Sequence, residues 1–222
     1  MVKCTLKKAI ISEEGLNIKP EEINPTEQFN LLVTFKADEN FEEVTELGIE
    51  EIVKVLEKDD FSFYVKESEF PGVVMVELKG DPVYAALKLK QASTRTISQV
   101  MLINEVVRTS VKLILEEVLE LAESRMAEGD SFSLKSGLVE ERYVEPKKEL
   151  FEIVTQGLTQ KLDFKCDDLN PDWVVRIEMM SENTGVSVLK YKQFKMGLID
   201  LNEFKEDFRD VGTIEMEGMN KL

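Results

Sequence analysis

Apolar and polar side chains alternate most clearly between residues 173 and 179. One side of this pattern carries Trp173, Val175, Ile177 and Met179, and the other carries Val174, Arg176 and Glu178. A half-buried strand requires a period of two, so we predict a strand with the first group facing the core. Asn170 and Pro171 favour a turn before it, and a second apolar run at 184–190 follows a polar turn. The region is therefore predicted to be a turn followed by a β-hairpin.

The first half of the chain shows a regular order of strands and helices. The predicted elements are a strand beginning at 29, a helix at about 41–57, strands near 61–66 and 73–79, a helix from Pro82 to about Lys90, and a strand near 97–102. Asn40 with Glu43 can cap the first helix, and Asp81 before Pro82 can cap the second. The order strand-helix-strand-strand-helix-strand is typical of a ferredoxin-like fold.

A second unit is expected from Asn104, a plausible N-cap for a long helix that ends before Gly129. A strand at 131–134, a helix from Pro146 to about Lys161 and the hairpin would follow. No linker rich in Pro, Gly or Ser separates the halves, so we expect them to pack rigidly. The predicted division is an extension at 1–28, a ferredoxin-like domain at 29–103, a second domain at 104–196 and a tail at 197–222. A short helix is predicted in the tail at 201–208, covering the protein's own core or docking on a partner.

Composition limits the class of protein. The chain has 222 residues, 43% of them apolar, which suffices for a real core. No stretch of eighteen apolar residues and no signal-peptide pattern is found, so we expect a cytoplasmic protein that does not enter a membrane. The two cysteines, Cys4 and Cys166, are far apart and are expected to be free thiols.

Histidine is absent from the sequence. This removes the usual general base, the Ser-His and Cys-His pairs and the imidazole ligands of most zinc sites. No Gly-rich phosphate loop of the Walker or dinucleotide-binding type is found. We therefore expect no catalytic activity, no cofactor and no metal. A carboxylate pair at Asp167 and Asp168 is the remaining enzymatic alternative, although adjacent carboxylates are more often part of a solvated loop.

The motifs of the second half resemble those of a THUMP domain, an RNA-binding module of tRNA-modifying proteins. The matching segments are Asn104-Glu105-Val106-Val107-Arg108, the strand after Gly129, the helix from Pro146, the turn Asn170-Pro171-Asp172-Trp173 and the closing hairpin. Their order and spacing extend the resemblance from about Asn104 to Lys195. The most similar type is the stand-alone THUMP protein that acts as adaptor for a tRNA cytidine acetyltransferase.

The resemblance implies an α+β protein in which an N-terminal ferredoxin-like domain packs on a C-terminal α/β THUMP domain. It also implies recognition of the 3′ CCA end of tRNA, with a separate acetyltransferase as the partner that modifies a cytidine. Two features depart from the family. The net charge is −16, and Ser136-Gly137-Leu138 replaces a segment that is more basic in many members.

Basic residues of the second unit are the candidate RNA ligands, because phosphate contacts require Lys and Arg. The first group comprises Lys135, Arg142, Lys147 and Lys148. The last two are predicted at a helix N-terminus, where backbone N–H groups and ammonium charges together suit a phosphate. The alternative is that these lysines only solubilise a helix that also carries acidic residues.

The second group comprises Lys190, Lys192 and Lys195, interleaved with Tyr191 and Phe194. Lysines could hold an RNA backbone while an aromatic ring stacks on an unpaired base. The alternative is a charged edge strand whose lysines prevent aggregation. Arg176 could reach RNA or form a cross-strand pair. Two functions remain open: a non-catalytic tRNA-binding adaptor, or a protein-interaction module that keeps the fold without binding RNA.

Overall fold

The computed structural model describes residues 24–36, 40–137 and 144–197. Its first unit contains β1 (Leu31–Phe35), α1 (Phe41–Lys58), β2 (Ser62–Glu67), β3 (Val73–Lys79), α2 (Pro82–Gln91) and β4 (Ile97–Leu102). The strands pair antiparallel in the order β2-β3-β1-β4. This confirms the predicted ferredoxin-like order of elements.

Local signals in the sequence set both helix starts of this unit. The Asn40 side chain accepts a hydrogen bond from the Glu43 N–H at 3.5 Å and donates one to the Glu43 carboxylate at 2.9 Å. Asp81 Oδ1 accepts from the Val83 N–H at 2.8 Å, and Pro82 occupies the position where its missing N–H costs nothing. These are the two caps that the sequence predicts.

The second unit contains β5 (Glu105–Arg108), α3 (Val111–Arg125), β6 (Ser131–Lys135), α4 (Val144–Lys161), β7 (Lys165–Cys166), β8 (Trp173–Met180), β9 (Asn183–Lys190) and α5 (Tyr191–Gly197). Its five strands lie in the order β5-β9-β8-β6-β7. Strand β6 runs parallel to β7 and β8, and the other pairs are antiparallel. The α+β class and the predicted hairpin of β8 and β9 are confirmed.

The helix predicted from Asn104 is wrong in its first turns. Residues Glu105–Arg108 form the strand β5, which pairs with β9, and the helix begins only at Val111. The Asn104 side chain accepts a hydrogen bond from the Val188 N–H at 2.9 Å instead of capping a helix. Val106 is buried in a cluster with residues of the first unit. This burial and the pairing with β9 stabilise a strand here in place of the predicted helix.

Both faces of β8 are buried, although the sequence predicts only one. The first face packs on α3 and α4 in a core that includes Trp173, Val175, Ile177 and Met179. On the second face, Val174, Leu189 and Phe194 join the core of the first unit. The prediction that Val174, Arg176 and Glu178 face away from a core is therefore wrong, because α5 and the first unit cover that side.

Other predicted boundaries also shift. Helix α4 begins at Val144, so Lys147 and Lys148 lie after its first three residues and not at its start. Strand β9 is internal to the sheet, and residues 191–197 after it form a helix, so the charged edge strand considered for this segment is not found. Cys4, the extension before residue 24 and the predicted helix at 201–208 lie outside the described residues. Within the described ranges, no helix has the length and apolar character needed to cross a bilayer.

Candidate nucleic-acid interface

A groove of about 550 Å³ lies at the end of the second sheet where β6 and β8 begin and β9 ends. Its charged and aromatic lining includes Arg125, Asp130, Asp172, Trp173, Lys190 and Lys192. These residues come from four separate places along the chain: the end of α3, the turn before β6, the turn before β8, and the junction of β9 with α5. The groove therefore exists only in the folded protein.

Trp173 forms a fixed wall of the groove. Its indole N–H donates to Asp130 Oδ2 at 2.7 Å, and the same oxygen accepts from the Ala127 N–H at 2.8 Å. Only 9% of Trp173 is exposed, and its ring belongs to the core between the sheet and the helices. Asp130 thus ties the end of α3 to the start of β8.

Asp172 is held by Ser131 at the neighbouring strand. Its Oδ2 accepts from the Ser131 hydroxyl at 2.7 Å and from the Ser131 N–H at 2.9 Å. Hydrogen bonds to the charged form favour it, so the Ser131 hydroxyl, and then its N–H, lower the pKa of Asp172 below the ordinary value of 3.8. The Asp172 carbonyl also accepts from the Tyr191 N–H at 2.9 Å, which fixes the start of α5 beside the groove.

Three cations lie around Trp173 and the carboxylates of Asp130 and Asp172. The Lys190 ammonium lies 5.6 Å from the centre of the Trp173 ring, and the exposed Lys192 follows on the first turn of α5. Arg125 is the last residue of α3, and its guanidinium donates to the Val188 carbonyl at 3.3 Å. The Asp130 and Asp172 carboxylates already accept hydrogen bonds from the backbone N–H groups of Ala127 and Ser131, respectively. The cations are therefore the groups of the groove that remain suited to an incoming anion.

The structure divides the predicted RNA ligands between two ends of the sheet. Lys190 and Lys192 lie at the groove, and the Lys195 ammonium on α5 lies 5.0 Å from the centre of the Tyr191 ring. Lys135 ends β6, four residues beyond Ser131, which places it about 13 Å along the strand from the groove. Helix α4 begins at the same far end, with the Lys147 ammonium 5.3 Å from the centre of the Phe151 ring and Lys148 exposed. The two predicted groups therefore do not form one continuous patch.

The two remaining predicted ligands are Arg176 and Arg142. Arg176 is only 3% exposed, and its Nε donates to Glu178 Oε1 at 2.5 Å, so it is a structural residue and not an RNA ligand. Arg142 lies outside the described residues. Arg125, in contrast, was not among the predicted ligands. Its place in the last turn of α3 gave only a weak signal, since basic residues are common at helix C-termini.

Acidic side chains do not form a metal centre here. Over the ranges 24–36, 40–137 and 144–197, no group of three or more Cys, Asp or Glu residues is arranged to hold a metal ion. Cys166 is exposed on β7, where partial burial raises the pKa of its thiol and the neighbouring Asp168 and Asp167 raise it further. The thiol is therefore a weak nucleophile at neutral pH.

Replacing Ser131 with alanine is expected to lower the melting temperature at pH 7 more than at pH 3. The lowered pKa of Asp172 means that its charged form stabilises the folded state above the ordinary pKa, and that this stabilisation is lost as the pH falls towards about 3. The difference from the wild type should narrow over about pH 5 to pH 3 in thermal melts followed by circular dichroism. A difference that stays constant over this range would contradict the role given to the Asp172 carboxylate.

Comparison with known proteins shows the fold. No family model and no curated protein matches the chain. The structure is similar to that of PH1313 from Pyrococcus horikoshii OT3, with a TM-score of 0.59 and 16% identity over 72% of this chain and 54% of that one. The chain thus spans about half the length of that protein. At this identity the likeness establishes a shared fold and nothing about activity.

Two further solved structures match with lower scores. A 4-thiouridine synthetase in complex with RNA and ATP gives a TM-score of 0.48 and 13% identity, over 73% of this chain and 42% of that one. TrmN from Thermus thermophilus gives a TM-score of 0.47 and 17% identity, over 71% of this chain and 44% of that one.

Proposed function

We propose that this protein has a THUMP-like fold and is a non-catalytic tRNA-binding adaptor. It binds the 3′ CCA end of tRNA and presents the molecule to a separate modification enzyme, a cytidine acetyltransferase. The observation that carries the proposal is the convergence of Arg125, Lys190 and Lys192 on the groove beside Trp173. Short sequence motifs resembling a THUMP domain support the choice of tRNA, and the same resemblance is the basis for the CCA end and the acetyltransferase.

The groove combines the two kinds of group that single-stranded RNA requires. Lysine and arginine side chains neutralise phosphates, and an aromatic ring can stack on an unpaired base. The half-buried Tyr191 offers such a ring at the groove, whereas Trp173 is held in the wall by its hydrogen bond to Asp130. Lys190, Tyr191 and Lys192 all line the groove, so cationic groups and a partly exposed ring border the same space.

The negative charge of the whole chain restricts RNA to a local site. With a net charge of −16, most of the surface repels a polyanion. A small cationic groove on such a surface favours binding of one RNA end over nonspecific binding along a duplex. Such a site suits the recognition of an unpaired RNA end better than binding along an RNA duplex.

A second function keeps the fold without RNA binding. The acidic residues Glu116, Glu117, Glu120 and Glu123 follow one another along α3, and partial burial raises the pKa of Glu117, with Glu105 and Glu120 raising it further. Such a helix could meet a basic protein, and the protein would then be an interaction module. The adaptor is favoured because the groove is lined by cations, which a purely acidic docking module does not need.

The test is a titration of the purified protein with total tRNA, and with the same tRNA from which the CCA end has been removed, at two salt concentrations. We expect binding that weakens at the higher salt concentration and weakens again without CCA. Because the chain contains one tryptophan, its fluorescence gives an independent signal from the groove. Equal affinity for both tRNA forms would contradict recognition of the end, and no binding at low salt would favour the interaction module.

A further inference from the structure

Asp130 places a negative charge in the groove that is proposed to bind RNA. Its carboxylate lines the groove together with Arg125, Lys190 and Lys192. A carboxylate repels phosphates, so by its charge alone it lowers the affinity of the groove for RNA. Within the part of the chain that the structure describes, Asp130 forms no ion pair with any of these three cations. The carboxylate is therefore not there to neutralise them.

The turn before β6 does not require this carboxylate either. The turn spans Ala127 to Asp130 and is closed by a hydrogen bond from the Asp130 N–H to the Ala127 carbonyl at 3.0 Å. Gly129 takes a φ of 88°, the positive value that the third residue of a type II turn needs. Because the main chain specifies the turn, the side chain at position 130 is available for other contacts.

One oxygen of Asp130 connects two distant segments of the chain. Asp130 Oδ2 accepts from the Ala127 N–H at 2.8 Å and from the indole N–H of Trp173, 43 residues further along the chain, at 2.7 Å. Hydrogen bonds of this kind to a charged acceptor are short and strong. A second bond from this end of α3, from Arg125 to the Val188 carbonyl, is longer, at 3.3 Å. The carboxylate therefore provides the shorter polar connection between the end of α3 and the sheet.

Each of the two connected segments carries a cation of the groove. Arg125 ends α3, two residues before Ala127. The Lys190 ammonium lies 5.6 Å from the centre of the Trp173 ring. The hydrogen bonds of Asp130 thus join the segment that bears Arg125 to the ring beside Lys190.

We infer that Asp130 is a positioning residue of the RNA groove. It holds Arg125 and Lys190 in place before RNA arrives, so less conformational freedom is lost on binding. This gain in affinity exceeds the loss that the negative charge of Asp130 causes. The inference rests on the proposed function, because it gives Asp130 a role in RNA binding at that groove.

The test compares Asp130→Asn with Asp130→Ala in gel-shift titrations of the full chain with total tRNA. Both variants remove one negative charge, but asparagine keeps a carbonyl oxygen, and a single oxygen accepts both hydrogen bonds in the wild type. Asp130→Asn should bind as tightly as the wild type or up to about threefold more tightly, because a repelling charge is removed. Asp130→Ala should bind about tenfold more weakly than Asp130→Asn, and more weakly than the wild type, because the cations are no longer held in place.

The salt dependence separates positioning from a general loss of structure. The slope of the logarithm of the binding constant against the logarithm of salt concentration should be the same for Asp130→Asn and the wild type. For Asp130→Ala it should be shallower by about 0.7, because one cation no longer neutralises a phosphate of a single strand. A variant that is merely less stable contains less active protein, but its slope is unchanged. Circular dichroism melts of each variant set a titration temperature at which all of them are folded.

Trp173→Phe tests the same connection from the other segment. It keeps an aromatic ring beside Lys190 and removes the indole N–H that donates to Asp130. This variant should also bind tRNA more weakly than the wild type. The double variant Asp130→Ala/Trp173→Phe should bind no more weakly than Asp130→Ala, because both changes break the same hydrogen bond.

Asp81 offers a matched control in the first unit. One oxygen of its carboxylate also accepts from two N–H groups, those of Val83 and Tyr84, at 2.8 Å and 3.3 Å, but Asp81 does not line the groove. Asparagine is a good helix cap and alanine is a poor one, so Asp81→Ala should lower the melting temperature more than Asp81→Asn does. The two Asp81 variants should nevertheless bind tRNA with equal affinity.

The outcomes distinguish this inference from the proposed function. Equal tRNA affinities of Asp130→Asn and Asp130→Ala, or a weaker Asp130→Ala with an unchanged salt slope, would overturn the role of Asp130 and leave tRNA binding intact. Absence of tRNA binding by the wild type at low salt would overturn the proposed function, and the role of Asp130 with it.

Discussion

Replacing Glu178 with alanine is expected to lower the free energy of unfolding by about 3–5 kcal/mol. Glu178 is fully buried and accepts from Arg176 Nε at 2.5 Å and from the Gly137 N–H at 2.7 Å. The variant would leave the Arg176 guanidinium, 3% exposed, without its carboxylate in the contact between the two units. Urea unfolding followed by circular dichroism measures the loss.

The surface pair Arg108–Glu182 is the control for this measurement. Its atoms are 2.7 Å apart, but the Glu182 side chain is 66% exposed. The variant Glu182→Ala should cost less than about 1 kcal/mol, because exposed ion pairs contribute little. A second comparison, Arg176→Met/Glu178→Leu, removes both charges and should be less destabilising than Glu178→Ala alone. If Glu178→Ala costs no more than Glu182→Ala, the buried pair is not the structural element described above.

The double variant Lys190→Glu/Lys192→Glu is expected to bind tRNA about tenfold to a hundredfold more weakly at low salt. Both side chains line the groove beside Trp173, and each reversal replaces a phosphate-binding cation with a repelling charge. The logarithm of the binding constant should also depend less steeply on the logarithm of salt concentration, by about 1.4, because two lysines no longer neutralise phosphates of a single strand. Gel-shift titrations at several salt concentrations measure both quantities.

Control variants separate the groove from the net charge of the protein. Lys54→Glu/Lys58→Glu makes the same charge change on α1, away from the groove, and should weaken binding by less than about threefold. Lys147→Glu/Lys148→Glu tests the other predicted site, at the opposite end of the sheet. A larger loss from this pair than from Lys190 and Lys192 would place the RNA at the start of α4 and contradict the proposed groove.

Local chemistry explains why the first unit was predictable. Its helix starts depend on caps such as Asn40 and Asp81, which act within three residues of themselves. Strand β5 was missed because its pairing with β9 joins residues almost eighty positions apart. The short apolar pair Val106-Val107 fits a helix or a strand, and only the partner strand decides between them.

The candidate site was predictable only in part, for the same reason. Lys190 and Lys192 were found because an aromatic residue lies between them in the sequence. Arg125 was missed, since its place beside them depends on where α3 ends against the sheet. The burial of Arg176 was not predicted, because a polar residue in an alternating pattern gives the same sequence signal whether it faces solvent or a second core. The burial of that face by α5 leaves no local signal in the strand itself.

Helix α5 begins beside the cationic groove, and its Phe194 enters the core of the first unit. Val174 and Leu189, on one side of β8 and β9, belong to that same core. Separating the two units near residue 104 would therefore expose this apolar face to solvent. The two units therefore cannot be exchanged between proteins one at a time without redesigning this face. We therefore expect the two units to be kept together when the gene is fused to another or rearranged.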